Sequence, residues 1–148
     1  MYNTAYRIVR REDEACDILQ ESFISAFRNL SNYRSEASFG SWLKRIVINK
    51  SVNAVQRNKL KPFEEGEEEG LPSADDHHEN PFPFDAIQVT RAIHQLPDGY
   101  RTVLSLYLIE GYDHSEIAEI LDITESTSKS QYSRSKKKLI ELLKQLKP

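Results

Sequence analysis

This chain of 148 residues has a single cysteine, a single methionine and a single tryptophan. One cysteine, Cys16, cannot build an intramolecular disulfide framework, and its use fits a reducing compartment. No run of about 18 apolar residues is present, and no signal-peptide pattern, so a soluble, cytoplasmic protein without membrane insertion is expected. The sequence also lacks a glycine-rich phosphate loop, paired catalytic carboxylates and any nucleophile–base set, so no catalytic residue and no cofactor are expected. His77 and His78 are adjacent in an acidic, aperiodic stretch that presets no ligand geometry, so no metal is expected either. No internal repeat is evident.

Positive charge is missing from one place in particular. Residues 63–85 hold nine acidic residues and no basic one, whereas residues 1–62 hold 11 basic and 6 acidic, and residues 86–148 hold 9 and 8. The net charge of −3 therefore averages two neutral-to-basic blocks and an acidic divider. The divider is rich in Glu, Pro and Gly and has no apolar period, so it cannot bury enough surface to offset its ordering entropy. The expected organisation is a domain at 1–61, a flexible acidic linker at 62–84 and a second domain at 85–148.

The first block reads as helical. Leu19, Phe23, Ala26, Phe27 and Leu30 recur at helical spacing, with Glu12, Asp13 and Glu14 at the anion-favouring end, giving a helix over about 12–30. Asp13, Asp17, Gln20 and Glu21 make a compact acidic strip on another face, either solvated surface or a dock for a basic helix. A turn-prone segment, Ser-Asn-Tyr-Arg-Ser-Glu-Ala-Ser at 31–38, precedes a second helix over about 39–59. Phe39, Trp42, Leu43, Ile46 and Val47 are its expected buried face. Asn49, Asn53 and Gln56 run along its other side beside Lys44, Arg45, Lys50, Arg57, Lys59 and Lys61. Asparagine is a poor helix former, so such a stripe points to outward hydrogen bonding, including to bases.

The last block contains two helices and a tight turn. Asp113-His114-Ser115-Glu116 has the form of a capping box, and Ile117, Ala118, Ile120 and Leu121 give one apolar face. Asp122-Ile123 turns the chain, and Thr124 offers a second N-cap. Ala118 keeps the crossing close. The next helix carries Ser126, Thr127, Lys129, Ser130, Gln131, Arg134, Lys136, Lys137 and Lys138, side chains suited to base edges and phosphates. Residues 129–147 hold seven basic residues against Glu141 alone, a local phosphate-binding field on an anionic chain. The pattern is a helix-turn-helix with a basic recognition helix.

Three stretches in order, Asp-Glu-Ala-Cys-Asp-Ile-Leu-Gln-Glu-Ser-Phe at 13–23, Ser-Phe-Gly-Ser-Trp-Leu-Lys-Arg-Ile-Val-Ile-Asn-Lys at 38–50 and the helix-turn-helix, resemble regions 2 and 4 of an extracytoplasmic-function (ECF) sigma factor of the sigma-70 family. The resemblance covers about residues 1–60 and 85–146. It implies an all-α fold of two small helical domains and a specificity subunit for bacterial core RNA polymerase, which it meets through the beta-prime clamp helices and the beta flap. Promoter DNA and an anti-sigma factor are the other implied partners. By the same resemblance Asp13, Glu14, Asp17, Gln20 and Glu21 dock on the clamp helices. The loop at 33–38, with Tyr33, Arg34 and Ser35, captures a flipped minus-10 base, Asn49 and Asn53 face the minus-10 strand, and Lys44, Arg45 and Arg57 lie near its phosphates. Thr124, Ser126, Thr127, Lys129, Ser130, Gln131, Arg134, Lys136 and Lys137 belong to the minus-35 surface.

The chain departs from the family pattern in two respects. Relatives carry one or two more helical turns before the first residue, so residues 2–9 look like the back half of a shortened helix, which leaves a displaced start or a less stable first domain. Ser128 and Tyr132 stand where an aliphatic residue is usual, so Ser128 is expected partly buried with its hydroxyl on the carbonyl four residues back. An autonomous helix-turn-helix transcriptional regulator is the alternative to a sigma factor. It would bind duplex DNA tightly without polymerase.

Overall fold

A computed structural model describes residues 1–58 and 85–145, and every element among them is helical. The expected linker at 62–84, with His77 and His78, lies outside the described residues, as do Lys59 and Lys61. The chain divides into two compact units, Met1–Phe63 and Glu64–Pro148.

The first unit is built from α1 (Tyr2–Val9), α2 (Glu12–Arg28), a short 3-10 turn (Leu30–Asn32) and α3 (Phe39–Asn58). Arg10 closes α1 in the left-handed region, at φ 64°, with its amide on the Tyr6 carbonyl. Arg11 returns to extended backbone and α2 starts with Glu12, Asp13 and Glu14 in its first turn, where the helix dipole favours anions. The core is formed by Ala5, Ile8 and Val9 of α1, Ala15, Ile18 and Ala26 of α2, and Leu43, Val47, Ile48, Val52, Ala54 and Val55 of α3.

That core corrects two expectations. On α2 the buried face is Ala15, Ile18, Ser22 and Ala26, while Phe23 and Phe27 are exposed, Phe27 by 68%; the helix ends at Arg28 rather than near residue 30, and Leu30 is exposed in the 3-10 turn that follows. Small residues let the α2 backbone pack closely on its neighbours, so the bulkier apolar side chains are left pointing elsewhere. The buried Ser22 hydroxyl is satisfied within its own helix by the Ile18 carbonyl, 2.6 Å away. On α3, Leu43 and Val47 are buried as expected, but Phe39 is 40% exposed and Trp42 and Ile46 are half-buried. The burial that Phe39 does not supply comes from the second half of α3, where Ser51 bonds the Val47 carbonyl at 2.8 Å.

The second unit comprises α4 (Ala86–Gln95), α5 (Asp98–Leu104), a π turn (Ser105–Ile109), α6 (His114–Leu121) and α7 (Glu125–Gln145). Asp85 and Gln88 cap α4 reciprocally. Ala92, Ile93, Leu96 and Leu104 pack on Leu139 and Leu143 of α7, with Val89, Tyr100, Tyr132 and Leu142 at the margin. Arg101 is fully buried, an arrangement that requires pairing. Its guanidinium donates to the Leu96 carbonyl at 2.9 Å and to the Asp98 carboxylate, and so fixes the turn between α4 and α5. The far half of α7 is thereby anchored in a core while its near half projects beside α6.

Candidate nucleic-acid and protein-docking surfaces

On α2, at about 100° per residue, Asp13, Asp17, Gln20, Ile24 and Phe27 fall within roughly 80° of arc, and all five are exposed. The acidic strip therefore runs into an apolar one on the same face. Glu14 is half-buried to one side. Glu21 lies roughly 40° beyond the edge of the arc, where it joins Lys50, Asn53, Gln56 and Arg57 of α3 in lining an open pocket of about 510 Å³. Asn49 is exposed on the same side of α3, whereas Lys44 and Arg45 are half-buried near its start.

The loop at 33–38 is held by its ends. Tyr33 donates its hydroxyl to the Ala37 carbonyl at 2.5 Å, and Ser38 caps α3 by accepting from the Ser41 amide at 3.2 Å. The Tyr33 ring meets Phe39 edge-on at 5.8 Å and Trp42 at 5.2 Å, and Phe39 and Trp42 are 5.7 Å apart. Arg34, Ser35, Glu36 and Ala37 are left exposed, with Ser35 in the left-handed region at φ 58°. Trp42 is thus neither plain core nor free surface: it is the inner ring of an aromatic platform beneath the loop.

The α6–turn–α7 unit follows its caps. Asp113 accepts from the Glu116 amide at 2.8 Å and Glu116 reaches back. Asp122 turns the chain at φ 55°, and Thr124 accepts from the Thr127 amide at 3.1 Å. Ile117 and Leu121 are buried, with Ala118 and Ile120 half-buried. On α7, Ser128, Ser135, Leu139 and Leu143 face inward. Ser126, Lys129, Ser130, Arg134 and Lys137 spread over roughly 140° of the opposite side, and Lys129 is 3.6 Å from Glu125. Ser128, fully buried, does not use the carbonyl four residues back. Its hydroxyl lies 2.9 Å from Nδ1 of His114, at the start of α6. Tyr107 stacks on His114 at 4.5 Å and meets Tyr132 at a 45° tilt with centroids 4.4 Å apart, and the Lys136 ammonium sits 5.3 Å over the Tyr132 ring. Burial lowers the His114 imidazole pKa from its ordinary value, and the Lys129 cation lowers it further, against Glu125 and Asp113.

Comparison with known proteins matches the sigma-70 region 2 family to residues 1–60 and the sigma-70 region 4 family to residues 86–139. The chain is 30% identical to the ECF RNA polymerase sigma factor SigW of Bacillus subtilis, covering 99% of this chain and 84% of that protein. It belongs to the ECF sigma factors of the sigma-70 family. A second relative, the ECF RNA polymerase sigma-E factor of Haemophilus influenzae, is 32% identical over 88% of this chain and 74% of its own length. In fold it is similar to the sigma factor RpoE of Bartonella quintana, solved in complex with the anti-sigma factor NepR, with a TM-score of 0.66 over 99% of this chain and 91% of that one at 21% identity. The all-α, two-domain fold and the role of an RNA polymerase sigma factor follow.

In this sigma factor the residues singled out by sequence are grouped only in part. Asp13, Asp17 and Gln20 share one face, but Glu21 turns toward Asn53 and Arg57. Tyr33 is half-buried and ties the loop, with Arg34 and Ser35 at its exposed tip. On α7, Gln131 and Lys136 lie on the flanks of the outward sector, and Thr124 and Thr127 bond each other at 2.8 Å. Ile24, Phe27, Phe39 and His114 were not anticipated as surface or site residues. Exposed apolar positions continuing an acidic strip at three- and four-residue spacing are the signal that finds the first two. Among the described residues no cluster of His, Cys, Asp and Glu is arranged to hold a metal ion, and no helix is long and apolar enough to cross a membrane.

Proposed function

We propose that the two units carry out separate steps of promoter recognition on bacterial core RNA polymerase. The observation that carries this reading is a pair of unlike surfaces: an acidic strip continued by Ile24 and Phe27 on α2, and an outward polar and cationic sector on α7. Acidic residues at a rim steer and orient a basic partner, and apolar residues supply the contact. Asp13, Asp17 and Gln20, with Glu14 at their flank, are assigned to the beta-prime clamp helices. Exposed Leu108 and Ile109 of the second unit offer an apolar contact for the beta flap.

The loop at 33–38 over its aromatic platform is assigned to a flipped base of the minus-10 element. Capture must offset a few kcal/mol of stacking, and a loop already held at both ends loses less freedom on binding. Asn49 and Asn53 face the same strand, with Lys44, Arg45 and Arg57 toward phosphates. Ser126, Lys129, Ser130, Arg134 and Lys137 read the minus-35 duplex, with Thr124, Thr127, Gln131 and Lys136 around them. The chain brings no chemistry of its own; RNA synthesis belongs to the polymerase. An anti-sigma partner and a cytoplasmic location complete the reading, the former supported by the relative solved with NepR.

Polymerase dependence tests it. Nine carboxylates without a cation at residues 63–85 repel phosphates, and affinity for DNA comes largely from phosphate neutralisation. The free chain should bind promoter duplex weakly at physiological salt, and run-off transcription with purified core polymerase should appear only when the chain is added. Tight, sequence-specific duplex binding without polymerase, and no transcript with it, would establish the autonomous regulator instead.

A further inference from the structure

His114 and Ser128 meet where the two helices of the recognition unit cross, and their bond decides which form of the imidazole fits. The Ser128 hydroxyl is fully buried, and its one partner among the described residues is Nδ1 of His114 at 2.9 Å. A hydroxyl has a single proton to donate, and a buried donor without an acceptor is costly. The pair is therefore satisfied when the hydroxyl donates and Nδ1 accepts, which requires a neutral ring carrying its proton on Nε2. Protonation of the half-buried ring puts a hydrogen on Nδ1 as well. The bond must then reverse, and the Ser128 proton loses its acceptor.

The surroundings offer the charged ring little compensation. Tyr107 of the π turn stacks on it at 4.5 Å, and Tyr132 of α7, itself covered by Lys136, tilts across it at 5.7 Å. Burial and the Lys129 cation disfavour the proton, whereas Glu125 of α7 and Asp113 at the head of α6 favour it. Both carboxylates are already engaged. Glu125 lies 3.6 Å from Lys129, and Asp113 accepts from the Glu116 amide at 2.8 Å.

We propose that His114 is a positioning residue for minus-35 reading: as the neutral ring it holds the start of α6 to Ser128, beneath the face of α7 that carries Lys129 and Ser130, and acid releases that hold. The inference rests on the sigma-factor reading of the second unit. Lys129 and Arg134 keep their charge across the range in which an imidazole titrates, so what acid removes is the placement of the reading side chains and not their attraction to phosphate. Promoter selection by this chain thereby becomes sensitive to pH at the minus-35 element.

The test is holoenzyme binding to promoter DNA at fixed salt from about pH 7.5 down to about pH 5.5, comparing the wild-type chain with His114→Asn and His114→Leu. Each affinity is divided by that for a pre-melted template without the minus-35 element, so that pH effects on the polymerase and on the first unit cancel. Asn offers Ser128 a carbonyl oxygen in place of Nδ1 and does not titrate. The minus-35 contribution of the wild-type chain should fall about fivefold in acid, the weight of one hydrogen bond. His114→Asn should match the wild-type chain at pH 7.5 and keep that value at pH 5.5, whereas His114→Leu should stay at the lower value throughout. Parallel pH profiles for the wild-type chain and His114→Asn, a His114→Asn variant no better than His114→Leu at pH 7.5, or a wild-type contribution that grows in acid would each overturn the positioning role while leaving the sigma-factor reading intact. A wild-type holoenzyme that gains nothing from the minus-35 element at any pH would overturn that reading, and the proposal with it.

Discussion

Ser128 shows how one atom pair can hold a recognition helix. A fully buried hydroxyl costs free energy unless it is bonded, and here the partner is His114 on the preceding helix rather than α7's own backbone. The bond therefore ties the start of α6 to α7, beneath the face that carries Lys129 and Ser130. Replacing Ser128 by Ala should destabilise the second unit by about 1 kcal/mol, measured by chemical unfolding. The imidazole adds a pH dependence. Its pKa is lowered in the folded chain from 6.5, so as pH falls through that value the unfolded chain takes up the proton first. Stability is then lost from about pH 6.5 downward, and the loss is complete once pH passes below the folded-state pKa. The stability difference between the wild-type chain and His114→Gln should shrink as pH falls from about 7.5 to about 5.5; a constant difference over that range would show that His114 titrates alike in both states. No spacing rule reveals this pair, because its two members lie fourteen residues apart and meet only when the helices cross.

Among the elements, the helix-turn-helix was the most legible and α2 the least. Caps are local chemistry: Asp113, Glu116 and Thr124 act within three residues of their targets, so sequence alone places both helix starts. Asp113→Ala should cost about 1 kcal/mol. The turn is equally specific. Asp122 sits at φ 55°, a region that a β-branched residue enters only with strain, so Asp122→Val should cost roughly 1–2 kcal/mol and Asp122→Gly should not. Equal unfolding midpoints for these two variants would argue against the left-handed turn. On α2 the same kind of reading fails, because apolar period counting weights Phe23, Phe27 and Leu30 by bulk, whereas close packing selects Ala15, Ser22 and Ala26. Arg101 is a parallel case: its residue type argues for solvent, and only the Leu96 carbonyl and Asp98 explain its burial.

At the scale of the whole molecule, the family and its two-domain plan were readable because three motifs occur in order. The sharing of one pocket by Glu21, Asn53 and Arg57 was not readable, because it depends on how α2 meets α3. Docking and reading should separate by mutation. Asp13→Lys with Asp17→Lys should weaken holoenzyme formation about tenfold at low salt, and the difference should shrink as salt rises, since exposed charges are screened. Unaltered affinity for core polymerase would remove this face from the interface. The central claim, that the first unit opens the promoter and the second recruits to it, is tested most directly by permanganate footprinting of unpaired thymines on intact promoter DNA, comparing two double variants in holoenzyme. Asn49→Ala with Asn53→Ala should reduce melting even at saturating protein, with about 1–3 kcal/mol lost for each base contact, whereas Lys129→Ala with Arg134→Ala should melt normally once enough protein is supplied. Normal melting by the asparagine variant, together with failure of the recognition-helix variant at saturation, would contradict the assignment of the two units to these steps.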